Sequence, residues 1–178
     1  MRGRRQERRE ERHGEGRVHY RMRQRLVSIG DDYWIETDSG ERAFKVDGKA
    51  LRVRKTLVFE DADGHTLVKI REKMLRIKDS MEIEDADGHR LAMVKKGLVT
   101  PLRERWKVDV EDGPDLEVHG NLVDHEYTFS HDHDTVATVS KQWFRVADTY
   151  GVEIAPDQDP VLILAATVAL DSMAHQGR

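Results

Sequence analysis

The chain has no cysteine in its 178 residues. Disulfides, thiolate zinc sites and cysteine nucleophiles are therefore excluded, and a cytoplasmic setting is expected. It has no strong charge of one sign either. Lysine plus arginine total 30 against 34 acids, a net charge of −4, so the molecule as a whole carries no signature of polyanion binding. It has no long hydrophobic run. The longest apolar stretch, Val161 to Leu170, falls short of the roughly 20 residues that cross a bilayer, and no transmembrane segment is expected. The charged N-terminus is not followed by the apolar core of a signal peptide. Nucleophile elbows, glycine-rich phosphate loops and the spaced carboxylates of an EF-hand are missing as well. No metal or other cofactor is expected.

What is present begins with a tail. Residues 1–17 hold seven arginines and four glutamates, a net +3 that leaves −7 on the rest. With no strong apolar residue before Val18, the tail has nothing to bury and is expected to stay disordered, ahead of one domain over 18–178. An arginine-rich arm is one route to contact with nucleic acid or an anionic membrane, but its interleaved glutamates weaken the field, and no specific nucleic acid is expected.

The most informative feature is an internal repeat. Ser28 to Ile35, Arg52 to Phe59, Arg76 to Ile83, Pro101 to Val108, Leu122 to Phe129 and Arg145 to Val152 share one eight-residue pattern. The sixth position is large and apolar or aromatic: Tyr33, Leu57, Met81, Trp106, Tyr127 and Tyr150. The eighth is Ile35, Phe59, Ile83, Val108, Phe129 and Val152. An apolar period of two is the signal of a strand with one buried face. Asp38-Ser-Gly40, Asp63-Gly64 and Asp87-Gly88 are hairpin turns. They lead into second alternating runs at Ala43 to Val46, Thr66 to Ile70 and Arg90 to Val94, with later equivalents at Leu116 to Val118 and Val136 to Val139. With the opening run Tyr20 to Val27, the pattern predicts about twelve strands in meander order.

Twelve short antiparallel strands left open would expose pairing edges, and closing them into a barrel removes the edges. A barrel of that size is too wide for its own side chains to fill. Val161-Leu-Ile-Leu-Ala-Ala-Thr-Val-Ala-Leu170 supplies the plug. Asp159 caps a helix, Pro160 suits its first turn, and a helix apolar all round must be buried all round. The predicted fold is thus mainly β, a closed antiparallel barrel of about twelve strands around a central C-terminal helix at about 160–175.

The residues resemble the LURP-one-related family, a branch of the tubby C-terminal-like superfamily. The resemblance is carried by Leu26-Val-Ser-Ile-Gly-Asp-Asp-Tyr-Trp-Ile35, Phe44-Lys-Val-Asp-Gly-Lys-Ala50, Leu116-Glu-Val-His-Gly-Asn121, Asp124-His-Glu-Tyr127, Val139-Ser-Lys-Gln-Trp-Phe144 and Asp148-Thr-Tyr-Gly-Val152, followed by the helix. It implies a twelve-stranded barrel around a hydrophobic helix and brings no catalytic residues. Related tubby domains bind phosphoinositides through basic surface residues, and the phospholipid scramblases resemble distant relatives. Neither binding motif can be placed on this chain residue by residue. The implied role is a binding or scaffold domain, cytoplasmic or peripheral at a membrane, with an anionic phospholipid headgroup or a protein as partner.

Candidate binding residues lie on alternating positions of neighbouring segments: Arg52 and Arg54; Lys69, Arg71 and Lys73; Arg76 and Lys78; Arg103, Arg105 and Lys107. In a meander these could align as one basic outer stripe suited to phosphate groups, although Glu72 and Glu104 interrupt it. Asp124, His125 and Glu126 offer an acid and a base for a hydrolase, yet strand register sends alternate residues to opposite faces. His131-Asp-His133-Asp134 has metal-ligand spacing within an Asp-rich turn, where a polar loop tip is expected instead. Trp34, Trp106, Trp143 and the repeat tyrosines are expected to pack in the core or barrel wall.

Overall fold

A computed structural model describes residues 16–23, 33–47, 56–72, 80–97, 105–144 and 148–176. Twelve strands run in chain order: β1 Val18–Arg23, β2 Tyr33–Thr37, β3 Arg42–Asp47, β4 Thr56–Asp61, β5 Thr66–Glu72, β6 Ser80–Asp85, β7 Arg90–Lys96, β8 Trp106–Val110, β9 Leu116–Asn121, β10 Glu126–His131, β11 Asp134–Ser140 and β12 Thr149–Ile154. Each pairs antiparallel with its sequence neighbours, and β1 pairs with β12, from Val18 opposite Ile154 to Arg23 opposite Thr149. The barrel is closed, as predicted. Most of the opening run beyond Arg23, and the first positions of most repeat copies, lie outside the described residues.

The two apolar repeat positions become two levels of the inner wall. All twelve side chains are buried, from Ile35, Phe59, Ile83 and Val152 at 0% exposure to Tyr33 at 8%. Across the hairpins, Tyr33 lies opposite Val46, Leu57 opposite Ile70, Met81 opposite Val94 and Tyr127 opposite Val139. The side-chain period of two thus gives most strands one dry and one wet face, while β6 and β12 are covered on both faces over Ser80 to Glu84 and Thr149 to Val152.

The helix, α1 Pro160–Gln176, fills the lumen. Asp159 starts it: its Oδ1 accepts the Val161 amide at 2.9 Å, and its carbonyl accepts the Ile163 amide at 3.2 Å. Every residue from Ile163 to Ser172 is buried. The helix packs against β5, β6, β7 and β12.

The barrel has two unlike ends. The tight turns after β2, β4, β6, β8 and β10 lie at one end, with the chain's entry into β1 and into α1. The turns after β4 and β6 are copies of one another. In Asp61-Ala-Asp-Gly-His65, Asp61 Oδ1 accepts the amides of Asp63 (2.9 Å) and His65 (2.8 Å), and Gly64 takes φ +87°. Asp85, Asp87, Gly88 and His89 repeat this with the same two distances. The C-terminal part of α1 reaches the other end, where β2, β10 and β12 begin.

The seam between the first and last strands is stapled from outside. Trp143 and Phe144, on the β11–β12 connection, lie over Gly151 of β12. A Cβ there would sit 2.5 Å from Trp143 Cε3 and 2.8 Å from Phe144 Cε2. Arg17 binds Glu153 Oε1 at 3.1 Å and the Thr135 carbonyl at 3.1 Å, tying the start of β1 to β11 and β12.

Two substitutions test this architecture. Leu164→Asp buries a carboxylate with no counter-charge, a cost of several kcal/mol against a total stability of about 5–15 kcal/mol. It should yield insoluble or non-cooperatively melting protein, read by thermal circular dichroism. Gly151→Ala should lower stability by about 1–3 kcal/mol, because both rings must move. A wild-type urea midpoint for Gly151→Ala would contradict the seated position of Trp143 and Phe144.

Candidate functional site

The polar chemistry inside the barrel gathers on one face of the helix. Thr167 and Asp171 are four residues apart and so share a face. Thr167 Oγ1 donates back to the Ile163 carbonyl at 2.9 Å. Asp171 is 1% exposed, a carboxylate at the centre of the wall's polar sector. Its Oδ2 accepts a short hydrogen bond from the Tyr150 hydroxyl, and its Oδ1 lies 3.4 Å from His125 Nε2. The His125 ring lies 4.3 Å from the Tyr150 ring, centroid to centroid, at an interplanar angle of 32°. Tyr127 brings its hydroxyl beside Thr167 and Asp171, and Tyr33 completes the group within reach of the Asp171 charge.

The local sequence puts each member in place. Tyr33, Tyr127 and Tyr150 occupy the same repeat position on β2, β10 and β12, so all three enter the lumen near the same end. His125 arrives differently. Asn121 Oδ1 accepts the Asp124 amide at 3.1 Å, and the Asn121 side-chain nitrogen donates to Asp124 Oδ2 at 2.6 Å. This closes a four-residue turn in which His125 adopts φ 53°, and the left-handed step throws its ring inward to full burial. Gly120, at φ +131°, is required just before. A Cβ there would meet the Glu126 carbonyl at 2.3 Å.

Burial first, and the Asp171 charge second, push the Tyr33 and Tyr150 hydroxyls well above their ordinary range, and Tyr127 follows for the same two reasons. The three phenols thus stay neutral around Asp171, and Tyr150 donates to it. The helix and the aromatic rings pack closely around the group. The arrangement is suited to locking the helix end in register with the wall.

The acid–base triple Asp124, His125 and Glu126 is not one site. His125 points inward to Asp171. Asp124 is exposed and serves the turn. Glu126 lies on the outer face, where it accepts the Ser140 hydroxyl at 2.9–3.0 Å and the Lys141 amide at 2.9 Å. His125 is held twice: its amide donates to the Leu122 carbonyl at 3.2 Å within the turn, and its ring is enclosed in the core. Asp171 lies one residue beyond the apolar run Val161 to Leu170, outside the pattern that identifies the helix. A lone acid directly after ten largely apolar helical residues was the available signal.

Of the basic stripe, Lys69, Arg71, Arg105 and Lys107 are described; Arg52, Arg54, Lys73, Arg76, Lys78 and Arg103 lie outside the described residues. Lys69 and Arg71 sit on the outer face of β5, opposite Glu84 and Glu82 of β6. Arg71 contacts Glu84 at 3.2 Å, and Lys69 Nζ donates to the Ala86 carbonyl at 2.8 Å. Lys107 is on β8, three strands further round, bonded to Asp115 at 2.7 Å and Asp109 at 2.9 Å, which hold its ammonium above the usual range. Arg105 is exposed just before β8.

His131 ends β10 and His133 lies in the turn that follows, with His131 Nδ1 at 3.2 Å from the Asp115 carbonyl. Among the described residues, the groups of three acids and imidazoles that converge are Asp61, Asp63 and His65, and their copy Asp85, Asp87 and His89. Both are exposed, and the first Asp of each is already committed to its turn. Among the tryptophans, Trp106 is buried at 4%, but Trp34 and Trp143 stand on the outer face, correcting their assignment to core or wall packing.

Comparison with known proteins agrees with this architecture. Residues 18–171 match the LURP-one-related family. The uncharacterized protein YxjI of Bacillus subtilis is 26% identical over 154 residues, covering 86% of this chain and 92% of that one. An X-ray structure of an Arabidopsis thaliana protein shares the fold, with a TM-score of 0.67 at 18% identity over 89% of this chain and 91% of that chain.

The buried tyrosines give a pH prediction. Their folded-state values lie above an unfolded value of about 10, so their contribution is complete below pH 10 and is lost as pH rises beyond it. Three such groups steepen the loss by about 4 kcal/mol per pH unit. Urea midpoints should fall sharply between pH 10 and 11, and more gently in Tyr127→Phe/Tyr150→Phe. Equal slopes in both proteins would remove the tyrosines from the account.

Proposed function

Since the chain belongs to the LURP-one-related family, we propose that it is a non-enzymatic binding or scaffold domain that recognises an anionic phospholipid headgroup or a protein partner on the outside of its barrel. The carrying observation is the filled lumen. Ligand sites are usually concave and preformed, and here the interior is occupied by α1, whose residues 163–172 are buried throughout. Neither the family nor the Bacillus subtilis relative brings an activity that would require an internal pocket. The outer wall, by contrast, carries charge on nearly every strand. Its basic stripe is one candidate contact, at which an incoming phosphate competes with Glu84, Asp109 and Asp115 for Arg71 and Lys107. A cytoplasmic location, peripheral at a membrane, follows from the same reading.

Co-sedimentation with anionic and neutral vesicles, at low and high salt, with and without residues 1–17, tests this. The expected result is salt-sensitive binding to anionic vesicles that survives removal of the tail. Binding lost with the tail would transfer the contact to its arginines, and then nucleic acid becomes a competing ligand. Absence of binding under every condition would overturn the lipid half of the reading. Neutralising Arg103, Arg105 and Lys107 together measures the share of the stripe: unchanged binding places the contact elsewhere on the wall.

A further inference from the structure

We propose that the outer face of β12, β1 and β2 is a bilayer-docking surface, with Trp143 as its interfacial anchor and Arg21 and Arg23 as its contacts to anionic headgroups. This rests on the reading that the outer wall is where the protein binds.

The alternation Arg17-Val-His19-Tyr-Arg21-Met-Arg23 builds one wholly basic strand face. Tyr20 and Met22 are buried inside, which leaves His19, Arg21 and Arg23 outside. An indole flanks this row on either side. Trp34 lies on the outer face of β2, with the Arg42 guanidinium 4.8 Å from its ring centroid. Trp143 lies over Gly151 of β12, its ring edge-on to His19 at 6.0 Å. Arg21 reaches over the Phe144 ring at 4.8 Å. Trp143 remains 42% exposed although the strand beneath is shaped to receive it. Glycine at 151 removes the Cβ that would lift the ring away, so the indole is held rigidly and loses little freedom on binding.

Chemistry selects the occupant. An exposed indole beside cations suits the interface of an anionic bilayer, where the ring sits at headgroup depth and each nearby arginine adds attraction. Two carboxylates stand within the face, and both are already engaged: Glu36 with Arg21 at 3.8 Å, and Glu153 with Arg17 at 3.1 Å and His19 at 3.5 Å. They reduce the local field below what a nucleic acid needs, because affinity there is built from many phosphate contacts at once. A bilayer asks for less charge and uses the apolar ring.

The test is intrinsic tryptophan fluorescence of the full chain with phosphatidylcholine vesicles, with and without phosphatidylserine. Trp34→Phe is carried in every protein compared, so that buried Trp106 is the constant background to Trp143. The expected result is a blue shift with anionic vesicles only, quenched by brominated acyl chains, and lost in Trp143→Ala. Arg21→Gln/Arg23→Gln should weaken binding about thirtyfold, while Arg90→Gln/Lys95→Gln, on β7 at the opposite side of the barrel, should not. Trp143→Phe keeps a ring over Gly151. Its retention of most of the affinity, with a smaller spectral change, would separate anchoring from misfolding. Anionic vesicles bound equally well by Trp143→Ala and by the arginine variant would overturn this surface and leave the outer-wall reading standing. No vesicle binding at all would overturn both. Preference for a single-stranded oligonucleotide over vesicles would overturn the choice of bilayer.

Discussion

Everything in this molecule depends on one volume being filled. Twelve strands close a barrel wider than its own side chains can pack, and a void of that size would forfeit the dispersion and burial that offset chain entropy. The ten buried residues from Ile163 to Ser172 occupy it. The dependence is mutual, because a helix apolar on every face has no stable existence in water. Wall and helix are therefore one cooperative unit, and the repeat positions of the wall are dictated by the helix they must touch.

Within that unit, the buried carboxylate of Asp171 supplies direction. An apolar rod in an apolar tube could slide or rotate at little cost. A carboxyl group bonded to Tyr150, with Tyr127, Tyr33 and His125 around it, fixes one register. This is the use of a buried polar group as a specifier of arrangement, and here the geometry supports it directly. It also places the costliest group of the core at the end of the barrel away from the tight turns. Small disturbances there reach the helix end before they reach the rest of the wall.

The architecture was legible in the sequence because it rests on periodicity. The pairs Tyr33/Ile35 through Tyr150/Val152 announce strands, and the turn at Asp63-Gly64 announces a hairpin, from residues close together in the chain. What was not legible depends on partners far apart. Nothing near His125 shows that its imidazole meets Asp171, 46 positions later, because a left-handed turn residue reverses the expected alternation. Glu126 and His125 look like a catalytic couple in sequence and end on opposite faces of the wall. Trp143 reads as a core aromatic until the seat over Gly151 is seen. The basic row of β1 was readable by the same period of two, but its cations draw the eye to the arginine-rich tail and away from the strand.

The pairing of β1 with β12 has a consequence for synthesis. All other strand pairs join sequence neighbours, so hairpins can form as the chain emerges from the ribosome. Val18 must wait for Ile154, and the lumen for the helix behind it. At about 5–20 residues per second, the growing sheet spends many seconds with a free edge and an uncovered apolar face. Its outer charges then act as guards. Ion pairs such as Lys45 with Glu60 and Arg71 with Glu84 form between adjacent strands early, and they keep partly made barrels from pairing edge to edge. The same side chains that decorate the finished wall thus protect the nascent one, and truncation before residue 172 should leave a sheet that seeks a partner in other chains.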